Sequence, residues 1–400
     1  MDNNIVYNFD INSLGYDFPA FIKNPDYIFS QNILNLLKIT DKKWLQNDQE
    51  YHIVNYEKSK ITPDLVRTSG LFRSLVHSDG NILAFSPPKS INECEFMSNY
   101  PPYDCYAEEI IDGTMINLFY DKHAGGWEIF SKSKFGANCF FFNKKETFRY
   151  LFFEVCKSIS FDYTSLPKEN CYSFVFQHPK NRIVVPIKEM KLYLIAAYQI
   201  NNADYSIRKL ENEDLKEIIK TTQIERPKTY NFETYDDLEI LIAEMNKDYK
   251  ETGVMLYHRQ SGMRSKIRNP NYEFVRGLRG NQAKLQYRYL ELRQRGNVAA
   301  YLRYFPEALP EFTKFKKQIH AFTEDLHTHY INCYIKKIKP LLEFEEKFRT
   351  HMFNVHQIYK KKAEGKGKII TKTDVIIYVN TLPEALLMAS LNSLFRNKEE

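Results

Sequence analysis

Glu109-Ile110-Ile111-Asp112-Gly113-Thr114-Met115 is the stretch on which the reading of this chain turns. It runs directly into 114–120 (TMINLFY), a short apolar run that predicts a strand. Similar runs lie on either side, at 81–86 (NILAFS), 127–131, 174–177, 182–186 and 191–197, and a strand pair is expected over 253–258 and 264–268. Turn clusters separate them at Ser78-Asp79-Gly80, Pro101-Pro102 and Gly125-Gly126, with another turn expected at Ser261-Gly262. Residues 1–70 read as a lead-in with one or two helices, and 205–250 as an acidic segment with helical spacing. After about 271, apolar residues recur at i, i+3 and i+4 over 283–303, 311–337, 339–362 and 383–396, with Gly365-Lys366-Gly367 as a late loop. The order predicts an α+β domain built on sheet over 1–275, then an all-helical domain over 276–400.

Composition narrows the class without naming a function. The 400 residues are 43% hydrophobic and 26% charged, which excludes disordered and fibrous chains, and only 14 glycines exclude a collagen-like one. No run approaches the roughly twenty apolar residues of a membrane span, and the N-terminus has no signal-peptide pattern. The six cysteines form no CxxC pair and are expected as reduced thiols. The expectation is a cytoplasmic protein with no membrane association.

Charge is distributed unevenly. The formal net charge is +6, yet residues 259–295 carry +8 and the rest −2. Arg259, Arg264, Lys266, Arg268, Arg276, Arg279, Lys284, Arg288, Arg293 and Arg295 are opposed only by Glu273 and Glu291. Arginine's planar fork suits phosphate and base stacking, so the segment reads as a basic patch for RNA, with Arg259, Arg264, Arg276, Arg279, Lys284 and Arg288 as candidate contacts. The competing reading is a solvated face with ion pairs to the acidic 205–250 segment. His320, His327, His329, His351 and His356 lack cysteine or carboxylate at ligand spacing, so no metal site is expected.

Several short segments stand in a fixed order: Arg73; Ser86-Pro87-Pro88-Lys89; Glu109–Met115; 174–184 (FVFQHPKNRIV); Thr252-Gly253-Val254; and Ser265-Lys266-Ile267-Arg268. Together they resemble the motif ladder of the covalent nucleotidyltransferases, specifically the phage-type RNA ligases that repair tRNA breaks. The resemblance covers about residues 60–275, with a helical tail similar in kind. It implies a nucleotidyltransferase-like (ATP-grasp-like) antiparallel sheet domain, and a viral or phage protein acting in a host cytoplasm. In that family the lysine of a Lys-x-Asp-Gly motif attacks ATP, carboxylates hold ribose or a divalent cation, and cations of the last strand neutralise the phosphoryl charge. Carried over by position, it makes Arg73, Lys89, Asp112, Gly113, Lys266 and Arg268 the nucleotide- or phosphate-binding candidates.

The same comparison exposes what is missing. The nucleophile position is Ile110, which has no amine, and the carboxylate of the third motif falls on Val175. Thr252 precedes Gly253 where the family has glutamate, and Glu251, one position off, faces the other side of a strand. No catalytic residue is therefore expected, and no cofactor. The favoured expectation is a catalytically degenerate RNA ligase-like protein that binds RNA, an RNA end or a modified nucleotide, within an RNA-processing, repair or translation assembly. Two alternatives stay open. One is an active ATP- and Mg-dependent ligase with a displaced lysine, for which Lys122, Lys132 and Lys134 lie on neighbouring segments. The other is a module that binds a protein partner.

Overall fold

Runs of β-branched and aromatic residues broken by turns form strands, and here they assemble as three antiparallel sheets. The computed structural model describes residues 5–7, 18–23, 27–141, 145–211, 214–216, 222–363 and 369–393. The chain forms two compact units, Met1–Arg276 and Gly277–Glu400.

In chain order the first unit has β1 (Val6–Tyr7), α1 (Phe18–Lys23), α2 (Tyr27–Leu37), β2 (Ile39–Gln46), β3 (Gln49–Tyr56), β4 (Leu75–Ser78) and β5 (Asn81–Phe85). Then follow α3 (Glu93–Asn99), β6 (Cys105–Glu109), β7 (Thr114–Asp121), β8 (Gly126–Phe130), α4 (Phe148–Ser158), β9 (Asn170–Gln177) and β10 (Lys191–Asn201). It continues with β11 (Ser206–Lys209), β12 (Thr229–Tyr230), α5 (Tyr235–Met245), β13 (Gly253–His258) and β14 (Arg264–Arg268), and the first seven residues of α6 (Pro270–Arg279) close it. The sheets run β1-β11-β10-β9-β7-β8, β12-β6-β13-β14 and β2-β3-β4-β5.

Alternation on β9 shows how one strand serves two layers. Tyr172, Phe174 and Phe176 pack with Leu151, Phe152 and Val155 of α4. Cys171 faces the opposite way, into a layer with Phe72, Phe85, Phe119, Phe130 and Tyr198 that the β2–β5 sheet shares. The remaining sheet buries Cys105, Ala107, Val254, Leu256 and Ile267 against Phe96 of α3 and Leu238 of α5. Thr234 and Asp237 close the start of α5 with a capping box.

The second unit is helical: α7 (Leu285–Gln294), α8 (Val298–Tyr304), α9 (Leu309–Tyr330), α10 (Glu346–Ala363), α11 (Lys372–Thr381) and α12 (Glu384–Leu391). The buried stripe of α9 is Phe312, Ile319, Phe322, Thr323, Leu326 and Tyr330, the spacing expected of one helix face. No described helix is long and apolar enough to cross a membrane alone.

The α+β order with a helical C-terminal region is as expected, and the hairpin turns at Gly125 and Gly262 take positive φ (66° and 64°). The lead-in holds two helices, α1 and α2, as expected, and adds the β2–β3 hairpin over 39–56. Two local expectations need correction. Residues 182–186 are not a strand: the backbone N–H groups of Val184 and Val185 turn to the Asp112 carboxylate instead of a ladder. Part of 205–250 is strand, at β11 and β12. The late loop at 365–367 lies outside the described residues.

Candidate functional site

The site is built on β14, whose residues alternate between two faces. Ile267 enters the apolar layer with Val254 and Leu256, and Ser265 is fully buried, its Oγ donating to the Ile91 carbonyl. Arg264, Lys266 and Arg268 therefore share the other face. Their partners across β13 are Tyr257, Met255 and Gly253, in that order. Across β13 in turn, Met255 meets Glu108 on β6, and the Ile110 N–H donates to the Gly253 carbonyl at 2.9 Å. Ile110 thus continues the row of Arg268, and Lys266 lies in the next row, about 10 Å across two strand spacings from Glu108.

Gly253 can be nothing else. Its φ is +118°, and an added Cβ would stand 2.3 Å from the Ile267 carbonyl oxygen. Gly253→Ala should lose at least about 2 kcal/mol of stability, read as a lowered urea midpoint at unchanged m-value. Gly113 is constrained by contact: a Cβ there would meet the Phe176 carbonyl oxygen and Val175 Cγ1, both at 2.6 Å. Gly113 and Val175 are thus brought together, as the motif order requires, but as packing partners.

Asp112 is buried and its oxygens are committed within the chain. Oδ2 accepts from the Val184 and Val185 N–H groups at 3.1 and 2.8 Å, and Oδ1 from the Tyr272 hydroxyl at 2.8 Å. Thr252 is 5% exposed, and its carbonyl accepts from the Asn269 N–H. With Val175 apolar, Thr252 buried and both Asp112 oxygens already hydrogen-bonded, these residues do not offer a donor set that fits a divalent cation, and no step is assigned to one.

Cations do converge here. Burial, followed by Arg268, Arg276, Arg73 and Lys89, lowers the Lys266 ammonium to about 8. Arg73 is pushed down to about 10 by burial and then by Arg264. Lys132 is lowered by burial, Arg73 and Lys58, and it lies 4.7 Å from the Tyr56 ring centroid. Lys89 is lowered by burial and by Lys58, against Glu95. Among the described residues, Arg73, Lys132 and Lys266 have no carboxylate within ion-pair distance, whereas Arg268 and Arg276 share Glu273.

Arg264 does not belong to an RNA surface. It is 4% exposed, and its guanidinium donates to the carbonyls of Pro87 and Pro88. It acts as a positioning group: with the Lys89 N–H to Gly70 O bond and the Ile91 N–H to Arg264 O bond, it holds the segment that presents Lys89. Arg288 is likewise interior, 8% exposed and bonded to the carbonyls of Gly277 and Leu278 and to Glu291. Arg279 donates to the Tyr301 hydroxyl, and Arg259 stacks 5.0 Å from the Tyr106 ring centroid. Lys284 is exposed. The +8 segment is thus divided between the two units and between interior and surface. Sequence reasoning missed Lys58 altogether, because nothing in its neighbourhood marks it.

The depressed Lys266 gives a pH signature. Its ammonium is held below about pH 7 and is lost as pH rises through 8, so binding an anion near pH 8 draws a proton onto Lys266. Affinity for a polyphosphate should therefore be full below pH 7 and decline from pH 8 to 10, and Lys266→Met should flatten that decline.

The first unit thus combines an α+β fold with three cations, Arg73, Lys132 and Lys266, that have no carboxylate within ion-pair distance among the described residues. No family model and no curated protein sequence matches the chain. Among solved structures it is similar to "Putative ATP-dependent DNA ligase from Aquifex aeolicus", at 13% identity and TM-score 0.42, over 72% of this chain and 80% of that one. It is also similar to an archaeal ATP-dependent RNA ligase in two forms. One shows 10% identity and TM-score 0.40 over 66% and 65% of the two chains, the other 11% and 0.38 over 73% and 79%.

Proposed function

We propose that the first unit is an RNA ligase-like, nucleotidyltransferase-type domain that binds RNA phosphates and does not form the lysine–nucleotide adduct. The observation that carries this reading is the cluster of Arg73, Lys89, Lys132 and Lys266, together with Ile110 where an attacking amine would be needed. Unpaired cations on a partly desolvated face repel one another, and a phosphate anion relieves that repulsion. Ile110 offers no nucleophile, so the same face can hold a phosphate chain without reacting with it.

A second reading has one observation in its favour. The lowered Lys266 amine is partly neutral near pH 8, as a nucleophile must be. In that case Nζ attacks the α-phosphorus, an N–P bond forms, pyrophosphate leaves and the amine proton passes to solvent.

One gel and one titration separate the two. Incubation with labelled ATP or GTP, with and without Mg or Mn, should leave no acid-labile covalent label on a denaturing gel. Label that disappears in Lys266→Met would install the second reading instead. Single-stranded RNA should bind with log affinity falling linearly against log salt, and binding that ignores salt would remove the first reading. A protein partner, rather than RNA, would give capture that survives nuclease.

A further inference from the structure

The β2–β5 sheet carries a polar cluster that the ligase-like reading leaves unused. Asp41 on β2, His52 on β3 and His77 on β4 share one face; His52 and His77 are register partners across the ladder, and the β4–β5 register slips between Val76 and His77. A bulge of this kind re-aims a side chain. The two imidazoles stack with centroids 4.6 Å apart and 16° between planes. Oxygen of Asp41 and ring nitrogens of His52 and His77 all lie within 4.8 Å of one another.

Hydrogen bonding within the cluster is incomplete. His52 Nδ1 lies 2.7 Å from Asp41 Oδ2, and His52 Nε2 lies 2.8 Å from Glu50 Oε1, which also takes Lys43 Nζ at 3.0 Å. His77 is 4% exposed, and neither of its ring nitrogens has a partner; Asp41 Oδ1 is also buried without one. Leaving such groups unpaired costs about 1–3 kcal/mol each. A second proton on His52 would satisfy its two carboxylates but would give His77 nothing. A cation between the three residues gives Asp41 and both histidines a partner at once.

We propose that Asp41, His52 and His77 form a divalent-metal site of the zinc type, tying β2, β3 and β4 together, with Glu50 orienting His52. The ligand chemistry is two imidazoles and a carboxylate, a set that suits zinc. Zinc ligands at about 2.0–2.2 Å stand about 3.3 Å from one another. The observed separations, 2.7 Å for the closest pair and under 4.8 Å for all, bracket that figure. Glu50 on the far nitrogen of His52 is the carboxylate–histidine–metal arrangement that fixes the ring and its tautomer. A cavity of about 430 Å³, lined by Gln31, Lys43, Glu50 and the three ligands among others, leaves room for water as the fourth ligand. The site is independent of the cation-lined face and of its function.

The test uses the full chain stripped with chelator and titrated calorimetrically with Zn2+, with Co2+ as a spectroscopic stand-in. One equivalent of zinc should bind, with the visible bands of four-coordinate cobalt. His77→Phe, which keeps a flat ring and removes both nitrogens, should weaken zinc at least about 100-fold with an unchanged circular dichroism spectrum. Glu50→Gln should weaken it by about 10–100-fold. Should His77→Phe fail to fold, Asp41→Asn at its half-buried position carries the same expectation. Wild-type protein that binds no zinc, or a folded ligand variant that binds it as tightly as wild type, overturns the proposal.

Discussion

Asp112→Ala should destabilise the first unit by about 3–5 kcal/mol and lower its Tm by roughly 10 °C. Three donors converge on this one carboxylate, the N–H groups of Val184 and Val185 and the Tyr272 hydroxyl. Alanine leaves all three without an acceptor in a place water does not reach, since Asp112 is 6% exposed. Asp112→Asn should cost about half as much, because one amide oxygen still serves one side while the NH2 group confronts donors on the other. Tyr272→Phe removes a single bond and should cost about 1 kcal/mol. The gradation matters more than any single value. If Asp112 instead served a bound nucleotide, Asp112→Ala would leave the melting curve of the free protein within about 2 °C of wild type. Thermal and urea unfolding of the three variants decides between the two roles.

That result would bear on how the sequence is to be read. The motif order was legible because it is set by chain connectivity: Asp112-Gly113 does lie beside Val175, and Gly253 does pair with Arg268. The β13–β14 hairpin and the β7 strand were legible from alternation and turn residues. What charge counting could not distinguish is where an arginine spends its donors. Arg264 and Arg288 look in sequence like Arg268 and Arg276, yet the first two cap buried carbonyls and the second two share Glu273. Nor could a linear reading assemble Lys58, Arg73, Lys132 and Lys266, which come from four separate segments that only the sheets bring together. The histidines tell the same story. Those of the helical region attracted notice through their spacing, although His351 proves fully bonded, to Tyr378 and Ser390. His52 and His77 are 25 residues apart in sequence, so only strand pairing reveals them as neighbours.

Replacing Arg73 and Lys266 together with alanine should weaken single-stranded RNA binding by about 100-fold at low salt and reduce the salt slope by about 1.4. Both effects follow from removing two phosphate-neutralising charges, each worth about 0.7 in that slope for a single strand. Neither cation has a carboxylate within ion-pair distance among the described residues, so their loss strands no buried counter-charge. Stability should stay level or rise, since burial and mutual repulsion already disfavour both charges. Arg264→Ala is the contrasting variant. It should lower the melting temperature by freeing the carbonyls of Pro87 and Pro88, and should weaken binding only by displacing Lys89. Loss of affinity alone could still reflect damage, so a gain is the sharper criterion. Glu273 neutralises Arg268 and Arg276, with contacts of 2.5 and 3.1 Å. Glu273→Gln keeps the side-chain shape and releases both guanidiniums to an incoming phosphate, which should tighten RNA binding by about 5-fold at low salt and steepen its salt dependence. A structural defect cannot produce tighter binding with a steeper slope. If Glu273→Gln leaves both quantities unchanged while the double alanine variant loses affinity, the strand face is a scaffold and the RNA contacts lie elsewhere.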